Sequence, residues 1–463
     1  MILDLLEPQL LAAGANVLVG LLDEEIQSMK RGDSESRVAA EKNTVSASDG
    51  ERARAEVENW RKKEVERLVG IPQSDRPPIR IPRDPIGSLL IASFDDFFER
   101  SGLTVEDTAR GFAKDEVPIS STMLTDEARA FLSDQSRRRF WPKFGQRDAR
   151  FLTWGAAAVV STWVKGGPRH FPTQSPKVVQ VSERARLILV GDWGSGISRA
   201  EKVGTAMRVH VEESQRNGQE CHVIHLGDVY YCGWEREYRR RLLASGMWPV
   251  QPEEKDTVGS WCLNGNHDMY SGGEGYFDYL LSDTRFWRQS GLSCFMLENR
   301  HWQIAGIDTA YADSDIHGPQ VAWLSGLRHK APGKKGLLLS HHQLLSKYED
   351  CSPSVRDRIQ PLLDEEMIRA WFWGHEHLCA AYARQHGVEY PRVVGHGGVP
   401  VYAWAGHPPD GVIWEAPDAF ADSRTGWLFA RFGFAVLDFQ GDGTILVRYI
   451  NENGVTQNTE SMS

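Results

Sequence analysis

The sequence has little cysteine and no excess of positive charge. Its six cysteines include no Cys-x-x-Cys pair, and Cys262 falls in an apolar run where a free thiol behaves as a small apolar group. The formal net charge is -10 and the pI is near 5.9. Such a balance argues against a general nucleic-acid or anionic-membrane binder, although it leaves room for a local basic site for a phosphate substrate.

The sequence also lacks a recognisable secretory signal and a long apolar run. Residues 1–30 include Asp4 and Glu7 and show neither a basic n-region nor a cleavage site. The apolar segment 151–164 is interrupted by Thr153 and Trp154, and a membrane span needs about 20 apolar residues. We therefore expect a cytoplasmic chain with reduced thiols, in which this segment is a buried helix.

A length of 463 residues is too great for one ordinary domain and predicts two regions. Apolar residues recur at helical spacing over 17–29 and 57–68, and a capping pattern begins at Ser93. The basic and aromatic stretch 137–143 fits a nucleic-acid patch, but a solvated helix end with core aromatics is the commoner explanation. Residues 1–180 are therefore predicted to form a mostly helical region.

From Arg186 the pattern changes to short apolar runs that end in polar residues, alternating with amphipathic segments. This alternation is typical of a sheet with crossover helices. Five runs end in Asp, Asp with Tyr, Asn-His-Asp, His-His and His-x-His. The residues at these ends are Asp192, Asp228 with Tyr230 and Tyr231, Asn266-His267-Asp268, His341-His342, and His375 with His377.

Each of these motifs has an ordinary structural explanation when taken alone. An Asp after a strand is often a helix cap, and two adjacent histidines are more often surface or core residues than ligands. Their joint occurrence in one region is more specific. Ligands bind at the carboxyl ends of strands in α/β sheets, and oxygen and imidazole ligands together suit a pair of first-row metal ions.

In order and spacing, these motifs resemble those of the calcineurin-like metallophosphoesterases. Within that superfamily the chain resembles the purple acid phosphatase branch, because Gly194 stands where other branches carry a histidine and Tyr231 completes Gly-Asp-x-x-Tyr. The resemblance spans roughly residues 185–445. It implies a four-layer α/β/β/α sandwich, so the fold class is α/β, with a catalytic domain at 181–463.

The resemblance also implies a ligand set for two metal ions. One metal is held by Asp192, Tyr231 and His377, and the other by Asn266, His341 and His375. Asp228 bridges both, and bridged ions lie about 3.5 to 4 Å apart. Two choices stay open: Tyr230 competes with Tyr231, and His342 competes with His341. A tyrosinate ligand favours ferric iron, so iron paired with iron, zinc or manganese is expected.

The implied reaction is hydrolysis of a phosphate ester by attack of metal-bound hydroxide. His267 is the candidate to donate a proton to the leaving group, with Asp268 orienting its ring. His396, in a glycine-rich segment after a predicted strand, is a candidate substrate contact. His317 precedes a predicted helix and is interpreted as a cap-region residue.

Monoesters are the predicted substrates, because diester-cleaving branches commonly carry the histidine that Gly194 replaces. A phosphodiesterase acting on cyclic nucleotides or other diesters is the alternative within the same chemistry. A non-catalytic binding scaffold is the alternative from another class, against which every expected ligand type is present. The expected partner is a small phosphate ester, with no nucleic acid or membrane partner.

Overall fold

The structure is a computed structural model that describes residues 168–463, except 197, 231–232, 245, 271, 313, 331–332, 349–351, 400, 402–407 and 422–427, together with positions 55, 58, 61, 62 and 67. The predicted helical region 1–180, including the segments at 17–29, 57–68, 93–98, 137–143 and 151–164, therefore falls almost wholly outside the described residues. Tyr231 falls outside them as well.

Most of the described strands belong to two mixed β-sheets, and one pair of short strands forms a separate two-stranded sheet. The strands are β1 (Val178–Gln180), β2 (Arg186–Val190), β3 (Cys221–His225), β4 (Val258–Cys262), β5 (Phe295–Glu298), β6 (Trp302–Gly306), β7 (Lys335–Ser340), β8 (Ile368–Trp373), β9 (Cys379–Tyr382), β10 (Tyr390–Val394), β11 (Val412–Glu415), β12 (Ala419–Ala421), β13 (Leu428–Ala430), β14 (Gly433–Phe439), β15 (Ile445–Asn451) and β16 (Thr456–Met462).

The six-stranded sheet has the order β16-β15-β14-β2-β3-β4, and the eight-stranded sheet has the order β1-β5-β6-β7-β8-β10-β9-β11. Strands β2, β3 and β4 run parallel, as do β6, β7 and β8. The carboxyl ends of neighbouring parallel strands therefore lie along one edge of each sheet. Strands β14 and β15 form an antiparallel hairpin, and β14 pairs with β2, which joins the hairpin to the six-stranded sheet.

Helices are short apart from two. They are α1 (Ser198–Arg216), α2 (Glu235–Glu237), α3 (Asn266–Met269), α4 (Gln320–Lys330), α5 (Ser354–Arg358) and α6 (Gln360–Asp364). π-helical turns occupy Tyr238–Leu242 and Gly275–Leu280, and 3₁₀ turns occupy Pro252–Glu254 and Thr284–Gln289. His317 lies just before α4, and its carbonyl accepts a hydrogen bond from Gln320.

The core lies between the two sheets. Buried residues from both sheets form a single cluster, in which Leu187 and Leu189 of β2 belong with Leu337 and Leu339 of β7. A second cluster covers the other face of the eight-stranded sheet, where Trp371 packs with Leu324 of α4 and Leu362 of α6. The near-continuous apolar runs of β2, β3 and β7 follow from burial on both faces. The predicted α/β sandwich fold is confirmed.

The described cysteines and helices bear on the remaining predictions from composition. Cys221, Cys262, Cys294 and Cys379 are free and buried. None of the described helices is long and apolar enough to cross a membrane. The cytoplasmic location and the domain boundary at 180/181 stay predictions, and β1 enters the sheet at Val178, just before that boundary.

Candidate metal centre

The predicted ligands follow strands of both sheets. Asp192 follows β2, Asp228 follows β3 and Asn266 begins α3 after β4, whereas His341 follows β7 and His375 follows β8. Four of the eight described non-glycine residues with positive φ are predicted ligands: Asp192 (57°), Asp228 (71°), His375 (69°) and His377 (52°). Left-handed backbone is costly for such residues and concentrates where a site imposes it. The turns after the strands therefore aim these side chains.

The first cluster of donor atoms surrounds the hydroxyl of Tyr230. This oxygen lies 2.8 Å from Asp192 Oδ1, 3.2 Å from Asp228 Oδ2 and 2.8 Å from His377 Nε2. The His377 Nε2 atom lies 3.2 Å from Asp192 Oδ1. Tyr230 is fully buried, and burial followed by the charges of Asp192 and Asp228 raises the pKa of its phenol well above the ordinary value. Two carboxylates, an imidazole and a phenol thus meet at one point.

Tyr230 therefore occupies the place that sequence reasoning gave first to Tyr231 and second to Tyr230. Tyr230 comes two residues after Asp228, whose φ angle is positive. The motif spacing alone does not contain that angle. The Tyr231 assignment stays a prediction, because Tyr231 falls outside the described residues.

The second cluster of donor atoms surrounds Nε2 of His341. This nitrogen lies 3.0 Å from Asn266 Oδ1, 3.2 Å from His375 Nδ1 and 3.4 Å from Asp228 Oδ2. The Nδ1 atom of His341 lies 3.0 Å from the carbonyl oxygen of Leu226. A carbonyl only accepts, so Nδ1 carries a proton, and Nε2 is the nitrogen that would bind a metal ion. His341 thus points into the site.

Asp228 belongs to both clusters through the same oxygen, Oδ2, which is the position that a bridging carboxylate requires. Ligand atoms of Asp192, Asp228 and His341 lie within 4.8 Å of one another, as do those of His341, His342 and His375. Asp192 and Asp228 are fully buried, and buried carboxylates need a compensating positive charge. The donor set therefore fits a pair of metal ions.

The electrostatics of the cluster agree with this fit. Burial opposes ionisation of Asp228, but the neighbouring His341 and His267 outweigh it and lower the pKa of the carboxyl group. Burial likewise lowers the pKa of His341, but Asp228 outweighs it and raises that pKa to about 9. In this arrangement the imidazole of His341 carries part of the positive charge that bound metal would supply.

His267 lies at the edge of the clusters. Its backbone N–H donates to Asp228 Oδ1 at 2.9 Å, its Nε2 is 4.0 Å from Asp228 Oδ2, and its ring centroid is 4.6 Å from that of Tyr230. The side chain of His267 is 16 % exposed to solvent, whereas that of Asp228 is 1 % exposed. An imidazole in this position can reach both the site and solvent.

Asp268 has a different role from the one expected of it. Its carboxylate accepts hydrogen bonds from the backbone N–H groups of Asp228 (2.8 Å), Val229 (3.0 Å) and Gly265 (2.7 Å), and from the hydroxyl of Tyr238. All four of these hydrogen bonds to the Asp268 carboxylate come from groups other than the ring of His267. Asp268 therefore holds the Asp228 turn against the Asn266 turn and does not orient His267, which corrects the predicted catalytic role.

His225 and Glu376 also hold the ligand loops, and sequence reasoning missed both. His225 is fully buried, and its Nδ1 accepts from the Gly227 N–H at 3.0 Å while its Nε2 lies 3.0 Å from the carbonyl oxygen of Trp193. It thereby joins the Asp192 turn to the Asp228 turn. Glu376 accepts from Trp373 Nε1 at 2.6 Å and from the hydroxyl of Ser346. Its place between two histidines was the available signal.

His396 does not reach the site as a substrate contact. It is 5 % exposed, and its Nε2 lies 2.6 Å from the place where a Cβ on Gly433 would stand. Burial lowers the pKa of this imidazole to about 3, so it is neutral. The expectation of a substrate contact is corrected, because the ring packs against β14 inside the domain.

Gly265 shows why a glycine stands between the apolar run and Asn266. A Cβ at this position would overlap Oδ1 of Asp228, so any larger residue would displace the carboxylate. Gly194, where related branches carry a histidine, has a φ of 95° and a Cβ there would lie 3.2 Å from the side chain of Val229. The turn after Asp192 is thus built for glycine and contributes no imidazole.

Comparison with known proteins matches residues 185–379 to the family model for calcineurin-like phosphoesterases. No curated protein matches the chain. Among solved structures, the chain is similar to GAP50, the anchor in the inner membrane complex of Plasmodium, with 12% identity and a TM-score of 0.45, covering 60% of this chain and 89% of that one.

Two further solved structures are similar. One is the purple acid phosphatase PPD1 from yellow lupin (Lupinus luteus) seeds, with 16% identity and a TM-score of 0.43, covering 63% of this chain and 55% of that one. The other is a dimetal phosphatase from Danio rerio, with 12% identity and a TM-score of 0.40, covering 60% of this chain and 98% of that one. The family model for calcineurin-like phosphoesterases thus matches the part of the chain that carries both donor clusters.

Proposed function

We propose that this chain is a dinuclear metal-dependent phosphoesterase that hydrolyses phosphate monoesters. The observation that carries the proposal is the position of Asp228 Oδ2, which lies 3.2 Å from the hydroxyl of Tyr230 and 3.4 Å from Nε2 of His341. One carboxylate oxygen shared by two donor clusters is what a two-metal phosphoesterase needs.

The residues of each cluster define which groups would hold each ion. Asp192, Tyr230 and His377 would hold the first, Asn266, His341 and His375 the second, and Asp228 both. When bound, the ions would supply water of lowered pKa and neutralise the charge of the phosphoryl oxygens. The phenol of Tyr230 favours ferric iron at the first position, with iron, zinc or manganese at the second.

The chain's own contribution to the reaction centres on His267. Its partial exposure and its place beside Asp228 and Tyr230 support a role in holding a proton for the departing alkoxide. Its backbone N–H meanwhile keeps Asp228 Oδ1 in place, so the loop serves both ligand geometry and proton transfer.

The preference for monoesters is supported by Gly194. In diester-cleaving branches a histidine commonly stands at this point of the motif, and here a left-handed glycine lies against Val229. The site therefore has no imidazole at that point to assist a diester. The alternatives are hydrolysis of cyclic nucleotides or other diesters, and a scaffold that binds without catalysis.

Initial rates on matched esters test this proposal. The full-length protein, reconstituted with iron, zinc or manganese, is assayed on 4-nitrophenyl phosphate and on bis(4-nitrophenyl) phosphate, which share one leaving group. Faster turnover of the monoester is expected. Faster turnover of the diester would replace the proposal with a phosphodiesterase, and metal binding without turnover of either ester would favour the scaffold.

A further inference from the structure

We infer that His342 also faces the second metal position, so that this position is lined by three imidazoles, those of His341, His342 and His375. The inference deepens the proposed function, since it concerns the same site. It differs from the ligand set described above, in which His342 was only an alternative to His341. The structure has room for both residues.

The geometry of the three rings is the first observation. The ring centroids of His342 and His375 are 4.7 Å apart, those of His341 and His342 are 5.0 Å apart, and those of His341 and His375 are 5.1 Å apart. Each of the three residues offers a ring nitrogen within 4.8 Å of the others. Adjacent residues of an extended chain point to opposite faces, so two histidines that converge require a turn. That turn begins where β7 ends at Ser340.

The second observation is how firmly His342 is held. Its backbone N–H donates to the hydroxyl of Thr309 at 3.0 Å, and the same hydroxyl lies 3.1 Å from its Nδ1. Its carbonyl accepts from the hydroxyl of Ser340 at 2.7 Å. Metal-binding histidines are typically anchored at one ring nitrogen by such a partner, which directs the other nitrogen to the ion. The Thr309 hydroxyl can accept from Nδ1 of His342, as the Leu226 carbonyl does from Nδ1 of His341.

Burial is the third observation. His342 is 3 % exposed, so its ring lies inside the domain and not on its surface. The alternative interpretation is that His342 is a structural core histidine hydrogen-bonded to Thr309. This explains the contacts of its Nδ1 and of its backbone N–H. It does not account for the convergence with two predicted ligands.

The consequence is a selectivity for metals. Neutral imidazole suits zinc, copper, iron and nickel, whereas magnesium and manganese prefer carboxylate, carbonyl and water oxygens. A position with three imidazoles beside the Asn266 and Asp228 oxygens therefore favours Zn²⁺ or Fe²⁺ over Mg²⁺ and Mn²⁺, which narrows the metals proposed for this position to zinc and iron. The first position, with more oxygen donors, does not share this preference.

Metal affinity, measured without reference to activity, tests the inference. The full-length protein is stripped of metal and titrated with Zn²⁺ against a chromophoric chelator, with circular dichroism to check folding. The wild type is expected to bind two ions. His342→Gln is expected to lower the affinity for the second Zn²⁺ ion by about 10- to 100-fold, which is the range for groups that support a metal site. His222→Gln is the matched control, because His222 lies near the start of β3, at the opposite end of that strand from Asp228. It is expected to leave the affinity for both Zn²⁺ ions unchanged.

The titration distinguishes failure of the proposed function from failure of the His342 inference. If the wild type fails to bind two ions, the proposed function fails and the inference with it. If the wild type binds two ions but His342→Gln binds both with unchanged affinity, only the inference is overturned.

A milder pair of variants covers the case in which His342→Gln does not fold. Thr309→Val removes the hydroxyl that anchors the ring and is expected to lower the affinity for the second Zn²⁺ ion. Thr309→Ser keeps the hydroxyl and is expected to bind that ion with wild-type affinity. Equal Zn²⁺ affinity in these two variants would overturn the inference. X-ray absorption at the zinc edge is expected to show fewer imidazoles in the Thr309→Val protein.

Discussion

The two sheets contribute different chemistry to the same site. The loops after β2, β3 and β4 of the six-stranded sheet supply oxygen donors from Asp192, Asp228, Tyr230 and Asn266. The loops after β7 and β8 of the eight-stranded sheet supply nitrogen donors, from His341, His375 and His377 and, by our inference, from His342. Each of the two donor clusters takes atoms from both sheets. Neither sheet alone could therefore complete a metal position.

The two sides also differ in how their loops are held. On the oxygen side, Asp268 and His225 tie neighbouring loops together through backbone groups. On the nitrogen side, Thr309 and Glu376 hold individual histidine loops. Support on the oxygen side thus links ligand loops to each other, and substitutions there should disturb more than one ligand at once.

The largest expected effect comes from the one side chain that serves both clusters. Asp228→Ala should lower hydrolysis by at least about 10³-fold, because it removes a ligand from both metal positions. Asn266→Ala, which affects the second position, should also abolish activity while leaving the fold intact. Rates on 4-nitrophenyl phosphate, with circular dichroism for folding, measure this.

Asp256→Ala is the control for that pair, since the side chain of Asp256 is 67 % exposed and forms an ion pair with its neighbour Lys255. It should retain wild-type rates. An Asp228→Ala protein with full activity would contradict the two-cluster arrangement.

The next effect concerns proton transfer. His267→Ala should keep both metals and lower kcat by about 10² to 10⁴, the range for loss of a general acid. Alkyl phosphates should lose most and nitrophenyl phosphate least, because good leaving groups need little protonation. His301→Ala, at the start of β6, is the control. An equal loss for all leaving groups, with metals retained, would assign His267 to the phosphoryl oxygens instead.

A third prediction tests the link between the Asp192 and Asp228 turns. Burial lowers the pKa of His225 from 6.5 to about 4, so the unfolded chain binds a proton that the folded protein excludes. The contribution of His225 to the free energy of unfolding is therefore fully present above pH 6.5 and is lost as the pH falls towards 4. The loss amounts to about 3 kcal/mol at the acid end.

Urea denaturation of the metal-free protein between pH 4 and 7.5 measures that loss. The free energy of unfolding of His225→Gln should be lower than that of the wild type at pH 7.5, and the difference should shrink towards pH 4. A difference independent of pH would show that His225 is not held neutral between the two turns. His222→Gln serves as the control on the same strand.

The smallest change in rate is expected for the tyrosine. In protein loaded with ferric iron, Tyr230→Phe should remove the visible charge-transfer absorption, because the phenol oxygen of Tyr230 lies among the first-position donors. Tyr231→Phe should keep the absorption. The reverse result would restore the Tyr231 assignment, and a colourless, active wild type without iron would remove ferric iron from the account.

Sequence patterns predicted the parts of this site that depend on local order. The apolar runs before Asp192, Asp228 and His341 become strands β2, β3 and β7, and the residue after each run is delivered to the edge of a sheet. The hydrophobic pattern and the glycine at each turn carry that information in neighbouring residues.

Partners distant in sequence could not be predicted in this way. Asp268 bonds to the backbone of Asp228, 40 residues earlier, and His396 packs against Gly433. Both contacts depend on strand order and on loops that leave the sheet, which a local pattern does not contain. The φ angle of Asp228, two residues before Tyr230, is positive, and the motif spacing does not contain that angle.

The central claim is that the two sheets together hold a pair of metal ions, and metal content tests it most directly. Elemental analysis of the active, full-length protein, with samples taken as a chelator removes metal and as metal is restored, gives ions per chain beside the rate. We expect two ions per chain, with activity lost and regained as the ions leave and return. Full activity with one ion, or with none, would contradict it.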